Sequence, residues 1–270
     1  MNPSDKTFAG SIPQLYEQFL VPLIFEPYAL DIARRVAGRG PARVLEVAAG
    51  TGVVTRQLAS LLPAGTAIVA TDLNQPMLDH AATVGTARAV EWRQADAMQL
   101  PFDDDSFDVV VCQFGVMFFP DKARAFAEAR RVLRAGGAFV FNAWDRIDVN
   151  EFAGVVTRSL EPLHPADPPR FLARTPHGYH DPQVIARDLE RGGFTRSIEL
   201  ATLAQRSRAP SPRHPAVAFC QGTPLRNEIE ARDPAGVEAA TAAATAAVAA
   251  RFGPGAVDGL MQAHVVVAEK

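Results

Sequence analysis

Hydrophobic and polar residues alternate along this chain with two different periods, and the changes between the periods predict strands and helices in turn. Short runs rich in β-branched and aliphatic residues predict strands at Arg43–Ala48, Ala67–Asp72, Val90–Gln94, Phe107–Gln113, Ala138–Trp144, Thr195–Leu203 and Ala263–Glu269. Segments with helical spacing fill most of the gaps, at Gly52–Leu62, Gln75–Val84, Lys122–Leu133 and Gln183–Arg191. This order predicts an α/β fold with a doubly wound, seven-stranded, mostly parallel sheet.

Three segments depart from this alternation. The first forty residues have apolar side chains at roughly helical spacing. The segment Asn150–His180 contains five prolines and predicts a loop-rich insertion, whereas Ser207–Gly259 predicts helices, including an alanine-rich one. We expect one domain over residues 1–270, with these segments forming a lid on it. Residues 1–40 are the N-terminal helical cover and residues 41–145 are the core. Residues 146–182 and 205–260 are two substrate-covering insertions.

The composition narrows the classes of partner. Hydrophobic residues make up 48% of the chain and the formal net charge is −3, so no basic excess attracts nucleic acid or acidic lipid. The N-terminus lacks the apolar core of a secretory signal, and the alanine-rich run is too weakly hydrophobic to span a membrane. Cys112 and Cys220 form neither a disulfide framework nor a zinc motif. We therefore expect a cytoplasmic enzyme or binding protein that contacts no nucleic acid, membrane or metal.

A glycine-containing turn follows the first predicted strand in the stretch ARVLEVAAGTGVVTRQLA. Gly50 and Gly52 match the first two glycines of a dinucleotide-binding loop, but Thr55 stands at the third position. No Walker pattern is present, because no Lys-Ser/Thr pair follows the glycines. The carboxylate of Glu46, just before the turn, suits a ligand with positive charge better than a pyrophosphate.

Acidic residues stand at the ends of the next two strands as well. Asp72 ends the second strand, where a carboxylate can accept hydrogen bonds from both ribose hydroxyls. Asp96 ends the third strand, where it can accept a hydrogen bond from the exocyclic amine of adenine. Acidic side chains at three successive strand ends indicate an adenosine ligand with a methionine tail and no phosphate.

Four motifs in sequence order carry a family resemblance: VLEVAAGTG, VATDLNQPML, RQADAMQLPFDDDSFDVVVCQFGVMFFPD and EARRVLRAGGAFVFNAW. They resemble the successive motifs of class I methyltransferases that use S-adenosylmethionine (SAM). Within that class they are most similar to the small-molecule type (methyltransferase type 11), which includes the ubiquinone/menaquinone C-methyltransferases. The resemblance is strong from Arg43 to Trp144 and weaker over Asp181–Leu203, and it implies that SAM is the cofactor.

Carried over by position, the resemblance assigns four residues around the methionine tail, namely Glu46, Ala48, Gly50 and Gly52. It assigns contacts with the ribose, the adenosine and the adenine to Asp72, Leu73, Met77, Asp96 and Ala97, and the methyl-donor pocket to Gln113 and Phe114. Tyr16, in the first helix, is a further candidate for contact with the methionine carboxylate or the acceptor. One departure is that Ala48 stands where the family usually has glycine.

The acceptor is expected to be a small molecule. Cys112–Gly115 occupies the place where DNA amine methyltransferases have an Asn/Asp-Pro-Pro-aromatic motif, and this chain lacks that motif. The covering segments are rich in aromatic residues: Tyr16, Phe25, Phe152, Phe171, Tyr179 and Phe219. They predict an enclosed cavity for a flat ring. Three histidines in the first insertion are the candidate catalytic residues, because imidazole can accept a proton from a hydroxyl or amine: His164, His177 and His180.

These observations predict methyl transfer from SAM to an oxygen, nitrogen or carbon atom of a planar or ring-containing molecule. No dedicated nucleophile is needed for this reaction, since orientation and exclusion of water supply much of the rate. Two alternatives stay open at this point. One is an NAD(P)-dependent dehydrogenase or epimerase on a related fold, which Thr55 and Asp96 disfavour. The other is a protein that binds SAM without catalysis.

Overall fold

The computed structural model describes Asp5, Phe8 and residues 10–270. Within them the chain forms one sheet of seven strands: β1 Arg43–Val47, β2 Ala67–Asp72, β3 Glu91–Gln94, β4 Phe107–Gln113, β5 Leu133–Trp144, β6 Ile198–Ala209 and β7 Val257–Glu269. Their order across the sheet is β3-β2-β1-β4-β5-β7-β6. The first five strands pair in parallel, and β7 is antiparallel to both β5 and β6. The predicted doubly wound, mostly parallel fold is confirmed.

Helices connect the strands and extend past them. The described helices are α1 Ile12–Leu15, α2 Glu26–Ala37, α3 Val53–Leu61, α4 Gln75–Val84, α5 Lys122–Val132, α6 Glu151–Ser159, α7 Phe171–Arg174, α8 Pro182–Arg191, α9 Arg213–Gln221, α10 Leu225–Arg232 and α11 Val237–Phe252. A π-helical segment, Tyr16–Phe25, joins α1 to α2 and contains Pro22. None of the helices in the described part of the chain is long and apolar enough to cross a membrane.

The central strands are buried on both faces because helices pack against both. Strands β1 and β4 are almost continuous runs of buried apolar residues, which is typical of parallel strands between two helical layers. Helix α2 packs on α3 and on β4 and β5, and α5 packs on α8. Helices α6, α9 and α11 pack on one another, and α9 packs on the π-helical segment. This second group forms a separate helical layer beside the sheet.

The sequence patterns predicted the bounds of β2, β4 and α4 as observed. Strand β5 begins at Leu133, five residues earlier than predicted, because Leu133 already pairs with Phe107 of β4 across a register irregularity. Strand β6 continues to Ala209, since its whole length pairs with β7. The insertion after β5 is not loop-rich throughout: α6 forms where buried Phe152 and Val156 recur at helical spacing, before the proline-rich part.

Tyr28 ties the N-terminal helices to the sheet. Its ring is fully buried and its hydroxyl donates a hydrogen bond of 3.1 Å to the carbonyl oxygen of Leu203 in β6. We expect Tyr28→Phe to lower the free energy of unfolding by about 1 kcal/mol, since the ring packing is kept and one buried hydrogen bond is lost. Chemical denaturation measures this. Tyr28→Ala, which also removes the ring, should cost about 3–5 kcal/mol, and equal losses in both variants would contradict the assignment.

Candidate functional site

A cleft opens at the carboxyl ends of the parallel strands, where ligands bind in open α/β sheets. The cleft and its open mouth together span about 1360 Å³. One side, which we call the strand-end half, is lined by Tyr16, Val47, Ala48, Gly50, Asp72, Leu73, Asn74, Met77, Ala95, Asp96, Ala97, Met98, Gln113 and Phe114. The other, the outer half, is lined by Asn150, Phe152, Ala153, Phe171, Leu172, Pro176, His177, Ser207, Phe219, Thr223, Pro224, Leu260 and Met261. Trp144 lies between the halves.

The loop after β1 runs through left-handed backbone conformations. The φ angles are 55° at Ala48, 57° at Gly50 and 82° at Gly52. A Cβ atom at Gly52 would lie only 2.8 Å from the Trp92 ring, so glycine is needed there for packing. Gly52 and Glu46 are outside the cleft lining, whereas Ala48 and Gly50 are on it. Unlike the two glycines, Ala48 has a Cβ atom, so its left-handed conformation strains the backbone.

Asp72 organises the same loop from the end of β2. Its Oδ2 accepts a hydrogen bond of 2.9 Å from the backbone N–H of Gly50, and its Oδ1 accepts one of 2.8 Å from the backbone N–H of Asn74. The side chain of Asn74 donates a further hydrogen bond of 3.4 Å to Oδ1. Burial raises the pKa of this carboxyl, although the hydrogen bonds from Asn74, Gly50 and Leu73 oppose the shift.

Glu46 lies behind the loop in a fully buried position. Its Oε2 accepts a hydrogen bond of 2.6 Å from the Thr55 hydroxyl. Burial raises the pKa of Glu46 to about 8, against the opposing effects of this bond and the positive charge of Arg56. Nearby, the hydroxyl of Thr51 and one carboxylate oxygen of Glu17 are buried without a hydrogen-bond partner. Arg56 joins these two residues: it donates a hydrogen bond of 2.7 Å to the carbonyl oxygen of Thr51 and one of 2.6 Å to the carboxylate of Glu17.

The remaining strand ends carry weaker polar contacts. The carboxylate of Asp96 accepts a hydrogen bond of 2.9 Å from the backbone N–H of Met98 and is otherwise exposed. The side chain of Gln113 donates a hydrogen bond of 3.3 Å to the carbonyl oxygen of Phe25 and accepts one of 3.4 Å from the side chain of Asn142. These contacts hold Gln113 at the end of β4 with its side chain on the cleft wall.

Aromatic rings form the junction between the two halves. Phe114 and Trp144 stack with centroids 3.8 Å apart and an interplanar angle of 3°. The ring of Tyr28 is perpendicular to both, with its centroid 5.3 Å from that of Phe114 and 5.4 Å from that of Trp144. The centroid of the Phe25 ring lies 5.7 Å from that of Phe114. The Phe114 φ angle of 54° turns its side chain toward this stack. A Cβ atom at the next residue, Gly115, would lie 2.5 Å from that of Ala48, so the junction also needs glycine there.

The structure separates the three candidate histidines. His177 lines the outer half and its Nδ1 lies 2.8 Å from the carbonyl oxygen of Asp145. Burial lowers the pKa of His177 to about 4. His164 and His180 are not brought to the cleft lining; His180 instead bonds through Nδ1 to the carbonyl oxygen of His177. Tyr179 is likewise absent from the lining, because its hydroxyl donates to Asp188 at 3.0 Å.

Several lining residues were not identified from the sequence. The most notable are Phe8, Asn74, Trp144, Asn150, Thr223, Leu260 and Met261. Trp144 ends β5, so its position at a strand end is a usable signal. Leu260 and Met261 reach the cleft only because β7 inserts between β5 and β6, a pairing that local sequence does not specify.

An ion network of one part-exposed arginine and two buried carboxylates lies beside the outer half. Arg174 bridges the carboxylates of Asp5 and Glu228, with both N···O distances 2.7 Å. The other oxygen of Asp5 accepts a hydrogen bond from Thr175, and Glu228 accepts one from the backbone N–H of Phe171. Asp5 therefore connects the N-terminal segment to α7 and α10. Across the described residues, no group of three or more His, Cys, Asp or Glu is arranged to hold a metal ion.

Comparison with known proteins agrees with this geometry. A family model described as "Methyltransferase domain" matches residues 45–141. The ubiquinone/menaquinone biosynthesis C-methyltransferase UbiE of Ectopseudomonas mendocina is 31% identical, over 57% of this chain and 65% of its own length. The enzyme of the same name from Teredinibacter turnerae is 29% identical, over 70% of this chain and 76% of its own length. The chain thus spans about two thirds of the first relative's length and three quarters of the second's.

A solved structure shares the fold. Phosphoethanolamine N-methyltransferase 2 of Haemonchus contortus, in complex with phosphomonomethylethanolamine and S-adenosylhomocysteine, superposes with a TM-score of 0.60 at 18% identity. The match covers 98% of this chain and 59% of that one. The sheet order and the loop after β1 define the Rossmann-like class I methyltransferase fold. The family model and the curated relatives show that residues 45–141 of this fold match a methyltransferase domain.

The left-handed conformation of Ala48 can be tested by its effect on stability. We expect Ala48→Gly to raise the free energy of unfolding by about 0.5–1 kcal/mol, because relief of about 1–2 kcal/mol of backbone strain outweighs the added unfolded-state entropy. Ala49→Gly is the matched control, since Ala49 has a negative φ angle; it should lower stability by roughly 0.5–1 kcal/mol. Denaturant titration of both variants measures this, and equal signs would argue against the strain.

Proposed function

We propose that this protein transfers a methyl group from SAM to an oxygen, nitrogen or carbon atom of a small, ring-containing molecule bound in the outer half. The observation that carries the proposal is one continuous cleft, which joins the acidic strand ends to a mostly apolar, aromatic-walled space. Mostly apolar pockets with a few polar groups suit small planar molecules. The net charge of −3 supports a partner that is neither nucleic acid nor membrane.

The residues of the strand-end half fit the parts of SAM. Asp72 would accept hydrogen bonds from the ribose hydroxyls, with Leu73 and Met77 packed against the adenosine. Asp96 and Ala97 would lie at the adenine. The absence of a side chain at Gly50 leaves room beside Tyr16 and Met77, whose nearest atoms would be 3.6 Å from an added Cβ.

The loop after β1 would hold the methionine tail through Glu46, Ala48, Gly50 and Gly52. Ala48 and Gly50 line the cleft, which supports a ligand at this end. Tyr16 would cover the tail from the π-helical segment. Gln113 and Phe114 would line the place of the methyl group.

When bound, SAM supplies an electrophilic methyl group on a positively charged sulfur. The protein contributes orientation and exclusion of water, which together can lower the barrier by several kcal/mol. Phe114 and Trp144 line the cleft where its two halves join, and Phe152, Phe171 and Phe219 line the outer half. These rings exclude water without offering a competing nucleophile.

We propose the following division of the chain as a single domain: an N-terminal cover, a SAM-binding core and two substrate-covering insertions at residues 1–40, 41–145, 146–182 and 205–260. Its support is that α6, α7 and α9 place Phe152, Phe171 and Phe219 on the cleft. The ion network of Arg174 holds these segments against the N-terminal segment.

The cofactor assignment can be tested by calorimetry. We expect S-adenosylhomocysteine to bind with micromolar or tighter affinity and NAD and NADP to show no comparable binding. Asp72→Ala should weaken binding by roughly 1–3 kcal/mol, because charge-assisted hydrogen bonds to buried hydroxyls are lost. Asp103→Ala changes an exposed carboxylate in the turn before β4 and should leave the affinity unchanged. Tight binding of NAD instead would overturn the proposal.

The buried carboxyl of Glu46 makes cofactor binding depend on pH. With a pKa of about 8 it is mostly protonated at pH 7, and the amino group of the ligand's tail favours the ionised form. We expect S-adenosylhomocysteine binding at pH 7 to release nearly one proton, and its affinity to rise with pH until about 8.

Calorimetry in buffers of different ionisation enthalpy counts the protons. Glu46→Gln, which keeps the shape of the side chain but cannot ionise, should abolish this release and flatten the pH dependence. Proton release that is the same in Glu46→Gln and in the unaltered protein would show that Glu46 does not sense the ligand.

A further inference from the structure

The tautomer of His177 is set by its hydrogen bond. Nδ1 lies 2.8 Å from the carbonyl oxygen of Asp145, and a carbonyl oxygen can only accept. Nδ1 must therefore carry the proton, which leaves a lone pair on Nε2 of the neutral ring. His177 lines the outer half of the cleft, 5.9 Å from the Trp144 ring. His177 therefore has one unprotonated ring nitrogen, on a side chain that lines the cleft.

Several hydrogen bonds hold this arrangement in place. The Asp145 carbonyl oxygen also accepts a hydrogen bond of 3.2 Å from the side-chain amide of Asn150. The side-chain oxygen of Asn150 in turn accepts one of 3.0 Å from the backbone N–H of Gln262. The Gln262 side chain donates 2.6 Å to the Asp145 carboxylate. Three segments of the chain therefore fix the carbonyl that orients His177, and Asn150 and Gln262 act as positioning residues.

The outer half carries no formal charge. None of the described residues that line it is Lys, Arg, Asp or Glu. An acceptor with an ammonium, carboxylate or phosphate group would leave that charge buried and unpaired, at a cost of several kcal/mol. The two carboxylates on the cleft wall, Asp72 and Asp96, lie in the strand-end half. The lining therefore favours an acceptor that is neutral at pH 7.

We propose that the acceptor is an uncharged aromatic compound with a weakly acidic hydroxyl group, a phenol, and that Nε2 of His177 accepts the proton of that hydroxyl during methyl transfer. This inference rests on the function proposed above and names its substrate class. The O–H bond breaks and its proton moves to Nε2. The oxygen uses the released electron pair to bond the methyl carbon, and the electrons of the carbon–sulfur bond stay with the sulfur of the donor.

The surroundings of His177 suit this role. Burial lowers the pKa of its ring to about 4, while the hydrogen bond to Asp145 opposes the shift. The charged and titratable groups that face it are Asp145 and His180, and His264 lies behind them, 3.5 Å from the Asp145 carboxylate. The ring is therefore neutral and able to accept at pH 7.

Binding to the protein saturated with S-adenosylhomocysteine tests the substrate class. The probes are 1-naphthol, naphthalene, 1-naphthoate and 1-naphthylmethylammonium, which share one ring system. We expect 1-naphthol to bind about tenfold tighter than naphthalene, as one net hydrogen bond predicts, and both charged probes to bind more weakly than naphthalene. Tighter binding of either ion, or equal binding of naphthol and naphthalene, would overturn the proposal.

Methylation of 1-naphthol tests the proton acceptor. In the unaltered protein saturated with SAM, we expect kcat/KM for 1-naphthol to stay level from pH 6 to 8. The amide of His177→Asn can still donate to Asp145, but only the ionised naphthol should react with this variant. Its kcat/KM should therefore be lower than that of the unaltered protein at pH 6 and should rise about tenfold per pH unit up to pH 8. His164→Asn is the matched control and should behave like the unaltered protein. A level profile in His177→Asn, or no methylation of naphthol, would refute the proposal.

Two further measurements separate the explanations. Unchanged binding of S-adenosylhomocysteine by His177→Asn shows that the variant is folded. If it does not fold, His177→Gln is tested in the same way. Failure of S-adenosylhomocysteine to bind the unaltered protein would instead count against the proposed function itself.

Discussion

The face-to-face contact of Phe114 and Trp144, 3.8 Å apart, sits where the sheet, the N-terminal helices and the cleft meet. Phe114 directly follows β4, Trp144 ends β5, and the ring of Tyr28 from α2 packs against both. Aromatic pairs contribute about 0.5–1.5 kcal/mol beyond the area they bury. That is comparable with the cost of holding Phe114 at a positive φ angle. The two halves of the cleft keep a fixed relation because one set of rings forms the boundary of both.

The strand-end half was largely predictable, since short-range features specify it. Glycines 50 and 52 mark the turn after β1, and Asp72 and Asp96 stand where the strands end. In a parallel sheet all of these ends lie on one edge, so placing the strands also places the side chains. Local sequence did not reveal that Ala48 adopts a left-handed conformation, or that Glu46 accepts a hydrogen bond from Thr55 in a buried position behind the loop. Both depend on packing between neighbouring segments.

The outer half was predictable only in composition. Its aromatic residues were identified, but the approach of Leu260 and Met261 depends on β7 inserting antiparallel between β5 and β6. The three histidines of the first insertion look alike in sequence, and only His177 lines the cleft. The difference arises from a backbone carbonyl 32 residues away, which orients the ring of His177. Long-range pairing of this kind leaves no local pattern.

The division of the cleft between two groups of segments also bears on how such a protein changes over time. The walls of the outer half come from α6, α7, α9 and the start of β7, and the strand ends contribute little to them. Exchange of one apolar side chain for another at Phe152, Phe171 or Phe219 reshapes the space beyond Trp144 and leaves the loop after β1 untouched. Sites that do not contact each other contribute nearly additively. Selection, or a combinatorial library built on these three positions, can therefore explore new acceptors while the donor chemistry is inherited intact.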